Sequence, residues 1–332
     1  MKKESGEFLF LPVSPVKPCI SNHSKTQMNY KLLPLLFALA CAVFTACGGD
    51  NDIIEGTINP PSTGGEPTPD EGEVSTHAYT KRLEVPQLKA GNTFVYHAVK
   101  VGGDSIMNYC LEYDREKYHS RWVAFRFDAT TRNKSVARKD YDISPQYPRD
   151  PKLNSAWALE HDALYGSGYN HGHLVASADR LYSREANDQT FYMTNMSPQI
   201  GNFNSGLWAD FEQEIQARGR DRSFCDTLYV CKGGTIDRSD DILKYVASGR
   251  MAVPKYYFMA AVAVKNGGYK GIAIWVEHKK YASSYSTVSE MRKFTLSIDA
   301  LEEKTGINFF HNLPDNLEAV VEANYNANVW ID

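Results

Sequence analysis

The stretch Gly166-Ser167-Gly168-Tyr169-Asn170-His171-Gly172-His173-Leu174-Val175 sets two histidines on either side of one glycine, and Phe191-Tyr192-Met193-Thr194-Asn195-Met196-Ser197-Pro198-Gln199 follows after a short gap. Beyond it, Leu207, Trp208, Phe211 and Ile215 recur at helical spacing, which predicts a helix over Phe203 to Arg218 stopped by Gly219 in the C-cap role. Steps of four then keep Asn204, Trp208 and Glu212 within one broad face of that helix. A histidine can take a proton from water near neutral pH. The oxygens of Asn204 and Glu212 suit a hard divalent cation. Mg²⁺ keeps most of its waters and takes one or two protein oxygens, so Asn204 as direct ligand with Glu212 holding bound waters is chemically sound.

Around this centre, strand-like and helix-like stretches interleave without the regular βαβ alternation of a parallel sheet, which favours an α+β fold. Enrichment in β-branched and aromatic residues predicts strands at Thr93 to Val99, Asn108 to Tyr113, Trp122 to Asp128 and Thr190 to Asn195. The same pattern recurs at Thr227 to Lys232, Tyr256 to Val264 and Gly271 to Val276. Short turns between several of them fit an antiparallel sheet. A second helix is expected over Ser297 to Lys304, with Ser297 as N-cap and Gly306 as stop. Trp208 and the run Tyr256-Tyr257-Phe258 read as core, because their neighbours are apolar too.

The only long apolar run is Leu32 to Ala46, preceded by Lys31 and shorter than the roughly 20 residues of a membrane-spanning helix. It has the shape of a signal peptide, and Phe44-Thr45-Ala46-Cys47 before Gly48-Gly49 looks like a lipoprotein cleavage box with Cys47 acylated. Cys41 is the weaker alternative, and Met28 is a better start than Met1 for such a leader. Residues 48 to 80 are rich in Pro, Gly, Thr and acids and read as an extended tether, leaving 81 to 332 as the folded domain. An exported protein held at the outer membrane or cell surface is the resulting expectation. Cys110, Cys225 and Cys231 fall in the domain, and their odd number leaves at least one unpaired. With a formal net charge of -4, the chain has no overall basic footprint, so contact with phosphate must come from a local patch.

Taken in order, these blocks resemble the ββα-metal DNA/RNA non-specific endonucleases, the family of the Serratia nuclease and mitochondrial endonuclease G. The family's Asp-Arg-Gly-His motif aligns with Asn170-His171-Gly172-His173, its Asn-to-Gln strand end with Asn195 to Gln199, and its Asn, Trp and Glu helix with Asn204, Trp208 and Glu212. Upstream, Asn108-Tyr109 and Tyr113-Asp114-Arg115 ahead of Trp122-Val123-Ala124 match, as do Val253-Pro254 and the segment from Leu301-Glu302 to Phe309-Phe310 downstream. The similarity spans Phe94 to Phe310 and implies a central antiparallel sheet flanked by helices. It implies His173 as general base, Asn204 as direct metal ligand, Glu212 ordering the metal's waters, Asn195 shaping the site, and Asn170 and His171 within it. The implied reaction is attack of water on phosphorus with Mg²⁺ or Mn²⁺ as cofactor, DNA and RNA as substrates and 5′-phosphate products; some relatives are homodimers.

Two departures bear on the chemistry. Asn170-His171 replaces Asp-Arg, and a histidine cannot pair bidentately with phosphate as arginine does. Gln216 stands where the family has an arginine one turn after the helix glutamate; Arg218 is close but on another face. Arg115, Arg121, Arg149 and Arg180 are candidates to supply the lost charge, and weakened rather than abolished activity is expected. The run Arg218, Arg220 and Arg222 reads as a phosphate contact or as a solvated helix end. A zinc site built on His171 and His173 lacks a third ligand at a telling spacing. The rival function is a non-catalytic surface lipoprotein that kept the fold and binds nucleic acid or another ligand.

Overall fold

In the computed structural model, residues 78–139 and 144–332 are described; the signal run, Cys47 and nearly all of the expected tether lie outside them. Strands β1 (Thr93–Val101), β2 (Asp104–Asp114) and β3 (His119–Phe127) form a meander. Two short strands follow, β4 (Asn170–His173) and β5 (Met196–Gln199), which pair only with each other. After them come β6 (Thr227–Gly234), the hairpin β7 (Ile242–Val246) and β8 (Met251–Pro254), and then β9 (Tyr256–Lys265), β10 (Gly268–Glu277) and β11 (Thr295–Leu296). The main sheet is seven-stranded and antiparallel in the order β1-β2-β3-β6-β9-β10-β11.

Both faces of this sheet are covered, and that explains its near-continuous apolar strands. In β9, Tyr257, Met259, Ala261 and Ala263 join one core, while Phe258, Ala260 and Val262 join the other. The period-two alternation of side chains sends them to opposite faces, and water reaches neither. The first core takes α2 (Gly201–Asn204) and α3 (Leu207–Arg220), which follow α1 (Arg184–Gln189) along the chain. Farther on, the short α4 (Val288–Met291) precedes α5 (Ile298–Thr305), and α6 (Asp315–Ala323) and α7 (Ala327–Trp330) close the described chain. The second core is roofed by α5, whose Ile298 and Leu301 pack with Phe309 and Phe310. As expected, Ser297 accepts a hydrogen bond from the Ala300 amide and Gly306 closes α5 at φ 66°.

Three sequence expectations need correction. Thr190 to Asn195 is no strand: Thr190 caps α1, Met193–Asn195 form a 3₁₀ turn, and extended pairing begins only at Met196. The Asn195 amide group donates to the carbonyls of Thr190 and Val175, which holds the segment in a compact turn that local β propensity could not foretell. The helix expected over Phe203 to Arg218 is broken at Ser205-Gly206, where the Ser205 hydroxyl donates to the Gly201 carbonyl and ends α2. Gly219 does not stop α3, which continues to Arg220.

Gly219 serves instead as a close approach, for a Cβ there would lie 2.3 Å from the Phe127 ring. Gly to Ala inside a helix ordinarily stabilises by about 1 kcal/mol. Here the sign reverses, and Gly219→Ala is expected to cost about 1–3 kcal/mol through overpacking, read as a lower urea midpoint. A raised midpoint would refute the close-approach role.

The cysteines also resolve. Cys110, Cys225 and Cys231 are all free thiols and all buried, so no disulfide joins them.

Candidate active site

The short hairpin β4-β5 and the helices behind it build the site. Asn170 pairs with Gln199 and His173 with Met196, and α2 starts two residues after β5 ends. Three anchors hold this unit on the main sheet. The Tyr257 hydroxyl hydrogen-bonds Ser197 at 2.5 Å, the His119 imidazole meets the same hydroxyl at 2.6 Å, and His278 Nε2 accepts the Ile200 amide at 2.8 Å. Burial lowers His119 and His278 to about 4, so both rings are neutral and can play these mixed donor and acceptor roles. Gly172 between the two histidines faces Gln199, whose side chain would lie 2.2 Å from a Cβ at that position. Any larger residue would require the buried Gln199 side chain to move.

This framework opens a cleft of about 890 Å³ lined by Asn170, His171, His173, Asn204, Glu212 and Gln216. The imidazole at 173 and the carboxamide at 204 therefore face one space. Asn195 does not line it: the residue is fully buried, its side-chain oxygen accepts the Val175 amide, and its role is to set the turn that follows His173. It holds the turn beside the cleft without lining the cleft itself.

His173 Nε2 is buried and makes no hydrogen bond among the described residues. Burial pushes its pKa down to about 3, with Arg138 and His171 acting in the same direction. The ring packs edge-on against Phe191, with centroids 4.9 Å apart. His171 stacks on Tyr147 at 3.9 Å, accepts the Leu164 amide at 3.3 Å, and is held down to about 4 by burial. It is thus partly occupied in holding the cleft wall.

Glu212 reaches the same cleft from α3, pushed up to about 7 by burial and drawn the other way by Lys232. Lys232 stands in β6 beneath it, 3.0 Å from Glu212 and 3.2 Å from Asp179, and is itself 1% exposed. Burial works to lower the lysine, but the two carboxylates outweigh it and its pKa is raised. Neither Lys232 nor Asp179 was expected from sequence. The available signal was a charged residue inside the otherwise uncharged strand Leu228-Tyr229-Val230-Cys231-Lys232.

The expected substitute arginines are elsewhere. Arg115 lies over Trp157 and bonds the Gly91 carbonyl, Arg121 pairs with Asp237, Arg149 with Glu160, and Arg180 is sealed beneath Phe125 and Phe127. Arg218 and Arg220 bond the carbonyls of Trp330 and Ala178, and Arg222 is exposed. The guanidinium that lines the cleft is Arg138, which no spacing rule pointed to. It is close enough to His173 and Glu212 to affect both pKa values.

Two features fit a hard cation. Asn204 makes no side-chain hydrogen bond among the described residues, and Glu212 commits only one oxygen to Lys232. Among the described residues, the one cluster of three His, Cys, Asp or Glu groups close enough together to share an ion lies on α5 and α6, away from the histidines.

A family model for DNA/RNA non-specific endonucleases matches residues 90–316. The chain belongs to this family. Among its relatives, a nuclease of Nostoc is 28% identical over 223 residues, covering 65% of this chain and 75% of its own. Human mitochondrial endonuclease G is 26% identical over 216 residues, covering 62% and 68% respectively. The fold matches EndoG, solved in a complex with EndoGI, with a TM-score of 0.57 at 19% identity over 74% of this chain and 96% of that one. The protein is accordingly a non-specific nuclease, a hydrolase with nucleic acid as its substrate. The β4-β5 hairpin with α2 and α3 is the ββα unit of this endonuclease.

Proposed function

We propose that this endonuclease cuts phosphodiester bonds of DNA and RNA with His173 as general base and a divalent cation, Mg²⁺ or Mn²⁺, held by Asn204 with Glu212 behind it. The observation that carries the reading is the shared cleft, in which a buried, unpartnered, neutral imidazole nitrogen faces free carboxamide and carboxylate oxygens. His173 takes the proton of a water as its oxygen attacks phosphorus; the bond to the 3′-oxygen breaks, that oxygen takes a proton from a solvent water to become the 3′-hydroxyl, and the 5′-phosphate stays on the other product. A cation at Asn204 would offset the negative charge that gathers on the phosphate oxygens.

Arg138 brings positive charge to the side where Asn170-His171 and Gln216 have lost it, and so supports phosphate binding without the motif arginines. Tyr165, 90% exposed at the rim of the cleft, offers a flat surface on which any base can stack. Stacking and backbone contact are indifferent to sequence. On the same reading the domain is exported and tethered through acylated Cys47 by residues 48 to 80, a proposal that rests on the apolar run and the cysteine context alone.

A fluorogenic DNA and RNA assay tests the proposal. Cleavage is expected with Mg²⁺, to vanish on chelation, and to fall at least about tenfold in Asn204→Ala at limiting metal. Cleavage that survives chelation would sink the cation's part, and the absence of cleavage with either metal would favour the non-catalytic binding protein.

A further inference from the structure

On the face of the sheet opposite the cleft, α5 and α6 lie together over β10. Asp299 and Glu302 stand one turn apart on α5, and Glu318 and Glu322 one turn apart on α6. One oxygen from each of Asp299, Glu302 and Glu322 lies within 4.8 Å of the others. Glu322 is 3% exposed, and its Oε1 is buried with no hydrogen-bond partner. None of the four carboxylates forms an ion pair among the described residues. A buried carboxylate that faces like charges with no cation beside it calls for a proton or a metal.

We propose that Asp299, Glu302 and Glu322 form a second divalent-cation site, of calcium type, which clamps α6 onto α5 and is separate from the catalytic cleft. The geometry suits the ion. Oxygens bound to one Ca²⁺ at about 2.3–2.6 Å lie at most about 5 Å apart, the spread these three atoms show. The donors are all oxygen, which selects a hard cation over zinc or copper. Carboxylates drawn from two helices form a loose cage, which suits the variable coordination of Ca²⁺ better than the strict octahedron of Mg²⁺. Glu302 keeps one oxygen on the Phe309 amide at 2.6 Å, so it is already oriented and has its other oxygen to offer. In the absence of metal, burial together with Glu302, Glu318 and Asp299 pushes Glu322 up to about 9, so the alternative occupant is a proton.

The experiment is thermal unfolding and calorimetric titration of the full chain with calcium chloride after chelation, in an Asn204→Ala background that removes the direct ligand of the cleft. Saturating Ca²⁺ is expected to raise Tm by about 5 °C with one equivalent bound. Glu322→Gln and Asp299→Asn, each added to that background, should abolish the rise. Glu322→Gln alone should leave Mg²⁺-dependent cleavage within about twofold. No rise and no heat in the parent, or a rise that persists in both variants, overturns the proposal. Asp299 is half-exposed and its substitution keeps the test open should the buried Glu322 variant fail to fold. The thermal and calorimetric readouts require no nuclease activity, so they stand apart from the reading of the cleft.

Discussion

His173→Ala is expected to lower kcat/KM about 10²- to 10⁴-fold while leaving thermal unfolding nearly unchanged, since the lost group is a positioned proton acceptor. The ring has no hydrogen bond at Nε2 to lose, and its rim contact with Phe191 contributes little to the core. Its protonation state supports the role. With a folded pKa near 3 against an ordinary value of about 6.5, the imidazole is neutral at every pH at which the enzyme is expected to work. The ring-proton resonances should therefore show no titration of His173 between about pH 5 and 8. The sign for stability follows: the unfolded chain takes up this proton below about pH 6.5 and the folded one resists, so the contribution is present above that value and lost as pH falls. An approaching phosphate carries negative charge and raises the basicity of the ring when it is needed. Full activity in the alanine variant would remove His173 from the chemistry, whereas a titration at about pH 6.5 would overturn only the burial that keeps the ring neutral.

The second large effect is expected at Lys232. Lys232→Met leaves Asp179 and Glu212 facing each other in a buried space, and breaking such a pair costs about 3–5 kcal/mol. A Tm lower by about 10 °C is the corresponding reading for a domain of this size. Activity should fall as well, because Lys232 is the group that holds Glu212 down, and without it the carboxyl keeps its proton more firmly. The double variant Lys232→Met, Glu212→Gln should regain part of the stability, since a neutral amide no longer needs the cation. An unchanged Tm in the single variant would show that the three groups are not coupled.

Much of this was legible locally. The strands of the main sheet announced themselves because they are buried on both faces and so read as long β-branched and aromatic runs. Ser297 and Gly306 marked α5 because capping is a matter of a few adjacent residues. Asn170, His171, His173, Asn204 and Glu212 were pointed to by the resemblance to the family's motifs, and all of them line one cleft. Legibility ended where a partner lay far along the chain. Gly219 looked like a helix stop, yet its neighbour is Phe127 in β3, some 90 positions earlier. Thr190 to Asn195 looked like a strand, yet Asn195 bonds the turn it belongs to and Val175 beyond it. Arg138 and Lys232 stand at no motif position, and only packing brings them to His173 and Glu212.

The order of residues alone determined which side chains could accept a proton, which could hold a hard cation, and which strands would form, because those properties depend on residue type and near-neighbour period. The tertiary structure decided that Arg138 lines the cleft, that Asn195 is buried in a turn beside it, and which way burial and charge push each group in the cleft. Those outcomes depend on burial and on Coulomb interactions between groups 20 or more residues apart, and neither quantity exists until the sheet has closed over its two cores.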